Sequence, residues 1–513
     1  MSNDNYDCLI IGNNSPSFQD YVNNIKQMGF QSGAFRDLSL NYISEKGIDY
    51  SFADYYNHNF APNREQLMTY NDIMSATIAY LGSYLHKKKI SFLFINSFQE
   101  QKKELTSLLG KKICAIAITT TYYLEASPII EIIKFIKKYN GDVKIIVGGP
   151  FIANQSALLD RESFYYVLKM IDADYYINST QGELALSEVI SSIKGKKDIS
   201  HINNIIYMQN GNYVENENVS EDNCLENNPV NWKLFSDTKK NFVSVRTSKS
   251  CPFECLFCGF PQRAGKFDYI TPARLCEELD QINEIPDIKI VNFLDDTFNV
   301  PVNRFKEILQ IMIGKQYRFK WNAHIRCQYI NREIVDLMKR SGCQGVFLGV
   351  ESGNQKILDN MNKKALVDDY YKGVALLKEY GIITYMSFII GFPGETAQTI
   401  KETIQFIETT QPDFYRTQLW YCDPVTPINK FADRFGIKNA FFEWEHSTMN
   451  AKEASDWIEY IMLNIKESMW LPQNNFDYPG LFILLSKGWE LIEIKSMIND
   501  FNIKLKAKIQ KGY

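Results

Sequence analysis

No run of about 18 consecutive apolar residues occurs anywhere in this 513-residue chain, so no transmembrane helix is expected. Positive charge is not in excess either: 56 Lys and Arg stand against 60 Asp and Glu, a net charge of −4. No global field therefore exists to hold nucleic acid or an anionic membrane. The opening MSNDNYDCLIIGNNS has no basic segment and only a short apolar run, so a secretory leader is not expected and a cytoplasmic location is. Histidine is rare, with 5 residues, and 10 cysteines are too few for a disulfide scaffold of this length. What remains is ordinary for a globular protein of two or three domains: 45% apolar and 23% charged residues. The 30 Tyr and 33 Phe accompany abundant Asn, Ile and Lys, which reads as an A/T-rich codon bias rather than an aromatic surface.

The few cysteines are unevenly placed. KSCPFECLFCGF (249–260) puts Cys251, Cys255 and Cys258 on one loop with C-x3-C-x2-C spacing. Thiolates are the ligands of iron–sulfur clusters, and short spacings let several reach one cluster. Three thiolates leave one iron of a four-iron cubane open to a small molecule, as a catalytic zinc site keeps a free position. The alternatives are a zinc site completed by a distant histidine, such as His201 or His324, or cysteines that merely pack.

Short apolar runs alternate with helical patterns on both sides of this loop. DCLIIG (7–12), ISFLFIN (90–96), ICAIAIT (113–119), VKIIVGG (143–149) and DYYIN (174–178) read as buried strands. EASPIIEIIKFIKKY (125–139) and GELALSEVISSIKG (182–195) read as helices. A polar, Asn- and Glu-rich stretch at 208–231 reads as a linker. Strands are expected again at 242–248, 288–296, 319–326, 345–351, 383–394 and 414–421, with helices between. The expected fold is α/β. A Rossmann-like (flavodoxin-like) domain at 1–207 and a linker at 208–240 precede a partial (β/α) barrel at 241–430 and a small C-terminal domain at 431–513. Within the first domain, 64–88 reads as helical. In the tail, IKLKAKI (503–509) alternates like a solvated edge strand.

The cysteine loop, with Phe257 before the last cysteine and a preceding strand, resembles radical S-adenosylmethionine (SAM) enzymes. NFLDDTF (292–298), GVFLGVESGN (345–354) and FIIGFPGET (388–396) resemble strand ends of their barrel. The resemblance implies that Cys251, Cys255 and Cys258 hold a [4Fe–4S] cluster whose open iron chelates SAM. It implies that Phe257, Arg326, Glu351 and Ser352 face SAM. The Gly-Gly-Glu of many members is absent after the second strand, where LDDT stands instead.

The first half is similar to the cobalamin-binding subgroup of that family. Thr119, Thr120 and Thr121, Gly148 and Gly149, and Gly182 occupy the positions where the resemblance places cobalamin. Only the second half of the usual Gly-Glu-Gly-Glu is present, in STQGE (179–183), and no histidine lies in D-x-H-x-x-G, so no histidine of that motif is expected beneath cobalt. EWEHSTMNAKEASDWI (443–458) resembles a natural-product group that includes a phosphinate P-methyltransferase, with His446 a candidate acid or base. The implied activity is methyl transfer from SAM through cobalamin to an unactivated carbon or phosphinate centre. A small-molecule or peptidyl substrate and an electron donor such as flavodoxin or ferredoxin would be the partners. Rearrangement or cyclisation with the same cofactors is the rival. A methylthiotransferase or a non-enzymatic corrinoid carrier fits less well.

Overall fold

The computed structural model describes residues 5–15, 17–61, 67–69, 72–221, 223–238, 240–474 and 476–512. The chain forms two compact units. The first comprises Met1–Pro16, Ile73–Lys239 and Glu277–Ile282; the second comprises Ser17–Asp72, Lys240–Cys276 and Asn283–Tyr513.

The first unit is built on seven strands: β1 (Asn5–Asn13), β2 (Phe92–Ser97), β3 (Lys112–Thr119), β4 (Lys144–Gly148), β5 (Tyr175–Ile177), β6 (Ile205–Gln209) and β7 (Asn212–Glu215). Their order is β7-β6-β5-β4-β3-β1-β2, parallel from β2 to β5. The five parallel strands thus run 2-1-3-4-5, the flavodoxin-like order, with its switch point between β1 and β3. Leu9, Ile11, Ile116, Ile118, Ile145 and Val147 bury one face against the helix Ser127–Tyr139, whose Ile129, Ile132, Ile133 and Ile136 keep helical spacing. Ile10, Ala115, Ala117 and Ile146 are buried on the other face. Strands apolar on both faces need cover on both, which the βαβ crossovers supply.

Seven strands of the second unit pair in chain order: β8 (Phe242–Val245), β9 (Ile290–Phe293), β10 (Lys320–Ile325), β11 (Cys343–Glu351), β12 (Ile383–Ile390), β13 (Phe414–Leu419) and β14 (Met469–Trp470). All the pairings are parallel. Val243, Val245, Val291, Phe293, Trp321, Val346 and Leu348 bury the outer face. The inner face meets the helix Tyr478–Ser486, buried nearly all round, as its apolar sequence YPGLFILLS requires. A Cβ on Gly345 would lie 2.6 Å from Phe482 of that helix, so only glycine lets it seat there.

Several expectations are corrected. Residues 208–215 are not linker: Asn212–Glu215 folds back on Ile205–Gln209 as an antiparallel hairpin that extends the first sheet. Residues 17–72 belong to the second unit, where the helix Gly33–Leu38 packs on Ala451–Asn464 so tightly that a Cβ on Gly33 would meet the Ala451 carbonyl at 2.7 Å. Residues 431–513 are part of that unit as well, adding β14 and the barrel-facing helix. The stretch 503–509 is helical, the end of Leu491–Lys511. Its buried Ile494, Met497, Ile498, Phe501 and Leu505 follow the 3.6-residue period, which the short alternation conceals. The helix expected over 64–88 runs from Ala76 to Lys87; residues 62–66 and 70–71 lie outside the described residues.

Candidate cluster loop and cofactor crevice

In the second unit the cysteine loop leaves β8 and is clamped at its base. Ser248–Lys249 pairs with Asp268–Tyr269, closing the loop into a hairpin-like flap. Asp295, just past β9, accepts the backbone N–H groups of Thr247 at 2.7 Å and Ser248 at 2.8 Å. Arg304 donates to the Thr247 hydroxyl at 2.7 Å and to the Ile270 carbonyl at 2.8 Å. The first half of LDDT thus anchors the loop. Asp296, the second, has its carboxyl pushed up to about 6 by burial and by Asp295 beside it.

Further along, Leu256 N–H donates to the Met361 carbonyl at 2.8 Å, and Asn362 donates to the Glu254 carbonyl at 2.8 Å. Arg326 lies 3.5 Å over the Phe253 ring, with one Nη donating to the Lys363 carbonyl at 2.9 Å and the other to Cys255 Sγ at 3.2 Å. The guanidinium thus ties Cys255 to the turn at Lys363. Burial raises Cys251 and pushes Cys258 up to about 11, with the nearby Cys255 and Cys251 adding to it. A cationic metal centre held there would favour the thiolate form of these ligands. Among the described residues no three His, Cys, Asp or Glu side chains converge as a single-ion site. A four-iron cubane instead spreads three thiolates over three irons. Three cysteines spaced C-x3-C-x2-C on one loop are a donor set that fits a [4Fe–4S] cluster.

Of the residues expected near SAM, Phe257, Arg326 and Glu351 come together. Glu351 adopts a left-handed φ of 70° and pairs with Lys363 at 2.8 Å, both nearly buried, while Lys363 Nζ lies 5.4 Å from the Phe257 ring. Lys363 was missed from sequence; in MNKKAL nothing marks one lysine as buried. Ser352 is buried with its hydroxyl taken up by Thr403 at 3.3 Å and by Asn354 N–H at 3.2 Å. His446 sits with Nε2 2.9 Å from the Gly391 carbonyl, Nδ1 3.2 Å from the Thr448 hydroxyl, and its ring parallel to Trp444 at 5.1 Å. Both its nitrogens are occupied by the fold.

In the first unit, the expected cofactor residues gather at the C-terminal ends of β3, β4 and β5. The Thr119 hydroxyl donates to the Ile11 carbonyl at 3.3 Å, tying β3 to β1. The Thr120 hydroxyl donates to the Gly148 carbonyl at 2.9 Å and accepts from Phe151 N–H at 3.2 Å. Thr121 is exposed, 3.2 Å from Thr77. Gly148 and Gly182 are demanded by packing: a Cβ at either would lie 2.9 Å and 2.2 Å, respectively, from Ile177 side-chain atoms. Gly149 has φ 112° and ψ −163°, a conformation reserved for glycine. Beyond Thr121, Tyr122 is 62% and Leu124 95% exposed. Sequence reasoning passed over these two. Apolar side chains presented above a parallel-sheet crevice suit a large organic cofactor.

Residues 245–407 match the family model of the radical SAM superfamily. Residues 245–407 therefore form a radical SAM domain. An uncharacterized methyltransferase of Pyrococcus horikoshii is 29% identical over 328 residues, which is 62% of this chain and 69% of that protein. An anaerobic magnesium-protoporphyrin IX monomethyl ester cyclase of Rubrivivax gelatinosus is 22% identical over 72% of this chain and 68% of its own. Among solved structures, the radical SAM methyltransferase TsrM of Kitasatospora setae, with cobalamin and a [4Fe–4S] cluster bound, superposes with a TM-score of 0.65 at 14% identity, covering 87% of this chain and 98% of TsrM. At that identity the likeness is one of fold. Among the described residues no helix is long and apolar enough to cross a membrane.

Proposed function

We propose that this radical SAM enzyme is a cobalamin-dependent methyltransferase acting on an unactivated carbon or phosphinate centre of a small-molecule or peptidyl substrate. The observation that carries the reading is the pairing of a three-thiol loop at the mouth of a parallel barrel with a flavodoxin-order sheet in the same chain. Cys251, Cys255 and Cys258 would hold the cluster, and Phe257, Arg326 and Glu351 would border SAM. The crevice around Thr121, Gly149, Tyr122 and Leu124 would hold cobalamin. When bound, the cluster supplies radical initiation and the corrinoid supplies a methyl carrier. Arg326 donates to Cys255 and joins the loop to Lys363. The Asp295 and Arg304 contacts hold the loop base still. An electron donor of the flavodoxin or ferredoxin class is required.

The Rubrivivax gelatinosus relative favours a second reading, a cyclase or rearrangement enzyme using the same cofactors. Products of SAM decide between them. Methyl transfer gives S-adenosylhomocysteine and 5′-deoxyadenosine in roughly equal amounts and carries three deuterons from methyl-deuterated SAM into product. A cyclase gives deoxyadenosine without turnover-linked S-adenosylhomocysteine or label, and that outcome overturns the methyltransferase reading.

A further inference from the structure

The second unit contains two histidines on or near its barrel strands with opposite fates. His446 has both ring nitrogens occupied by fold-internal partners. The side chain of His324, on β10, forms no hydrogen bond among the described residues, and burial alone moves its titration, down to about 4. An imidazole on a central strand that its own fold leaves half-buried and without a side-chain hydrogen bond calls for another explanation.

Its surroundings supply one. Strand register sets His324, Phe347, Tyr385 and Phe414 side by side across β10 to β13. The imidazole is stacked on Phe347, with centroids 4.3 Å apart and planes 29° from parallel. Tyr478 closes the group edge-on, 6.2 Å from His324 and 5.7 Å from Phe347, and stacks 5.8 Å from Tyr385. This is a floor of flat rings. One register layer nearer the strand C-termini, β11 and β12 present Gly349 and Ser387, two of the smallest side chains, beside Arg416. His324, Phe347 and Gly349 keep solvent-accessible surface although they lie on central strands, so the floor is open from that side.

We propose that this floor is where the substrate lies, that the substrate is a flat, unsaturated ring system bearing an N–H or O–H group, and that the neutral imidazole of His324 accepts the hydrogen bond from it. The proposal deepens the function given above and rests on it. His324 is a positioning residue: it fixes the ring's rotation over the floor, and it moves no electrons.

The test uses 2-naphthol and its methyl ether, two flat probes that differ in one O–H group, titrated by fluorescence into the reconstituted full-length enzyme. Wild type should bind 2-naphthol about tenfold more tightly than the ether. His324→Phe, which keeps the ring floor, should bind both equally. His324→Asn, which restores an acceptor, should recover part of the preference. In ¹⁵N-histidine spectra the His324 signals should shift with 2-naphthol and not with the ether. Equal affinity of wild type for both probes, no saturable binding of either, or a preference that survives in His324→Phe overturns the proposal. Iron and cobalt content, measured on the same samples, reports separately on the cofactor reading, so the two can fail independently.

Discussion

The two sheets of this chain are both parallel, yet their strands carry different chemistry. In the first unit the strand interiors are apolar on both faces, and buried polar groups gather at the strand ends, as at Asn96 and Ser97 of β2 and Thr119 and Thr120 of β3. There, Thr119 and Thr120 are taken up in tying neighbouring strands together. In the second, the inner face of the strands mixes polar groups (Ser244, Asn292, Asn322, His324, Ser387 and Arg416) with the rings of Phe347, Tyr385 and Phe414. Several of these are incompletely paired. Among buried atoms without a partner are Asn292 Oδ1, both amide atoms of Asn322, and Nε and Nη1 of Arg416. A sheet that only presents a crevice at its end can afford a dry interior, whereas one that surrounds its ligand cannot. The contrast supports the proposal that the reacting groups lie inside the second sheet and a carried cofactor at the edge of the first.

The sharpest way to break this contrast is at Arg416. Its buried guanidinium lies 4.0 Å from Asp37 and 4.4 Å from the Trp470 ring, and burial raises the Asp37 carboxyl despite that cation. Asp37→Ala should cost about 3–5 kcal/mol in urea unfolding, since it strands a buried charge, while Asp37→Leu with Arg416→Met should recover most of it. Among the described residues the strand interiors of the first unit hold no buried ion pair of this kind.

Next in size is a pH effect confined to the second unit. An unfolded imidazole titrates near 6.5 and the buried His324 near 4. Between those values the unfolded chain takes the proton first, so stability falls as pH drops from 6.5 and levels off near 4. The loss amounts to about 3 kcal/mol. His324→Gln should flatten that part of the curve, read as the difference between wild type and variant in denaturant melts.

The smallest expected effect belongs to the first unit. Gly182→Ala forces a Cβ against Ile177, at 2.2 Å from its Cγ2, and should cost about 1–3 kcal/mol. Adding Ile177→Ala should be strongly non-additive, because the two changes share one contact. If Gly182→Ala alone abolishes cobalt retention while stability is unchanged, the glycine serves the cofactor and not the packing.

How much of this was legible in sequence follows from the range of the interactions. C-x3-C-x2-C is a local pattern whose chemistry needs no tertiary knowledge, and the strands of both sheets announce themselves by apolar runs. Long-range placement was not legible. Nothing near Gly33 says that it packs on Ala451, so residues 17–72 were assigned to the wrong unit. Leu505 looked like one of an alternating set because a seven-residue window is too short to separate periods of 2 and 3.6. Lys363 and His324 owe their interest to burial, which depends on what folds over them. Ser352, by contrast, lay in a motif, and its hydroxyl is taken up elsewhere.

The most direct test of the division of labour is metal analysis of one variant. Cys251, Cys255 and Cys258 are changed together to Ala, and the protein is reconstituted anaerobically with iron, sulfide and hydroxocobalamin, then desalted. Wild type should hold about four irons and one cobalt per chain. The variant should lose the iron and keep the cobalt. Iron retained by the variant, or cobalt absent from the wild type, would contradict the account.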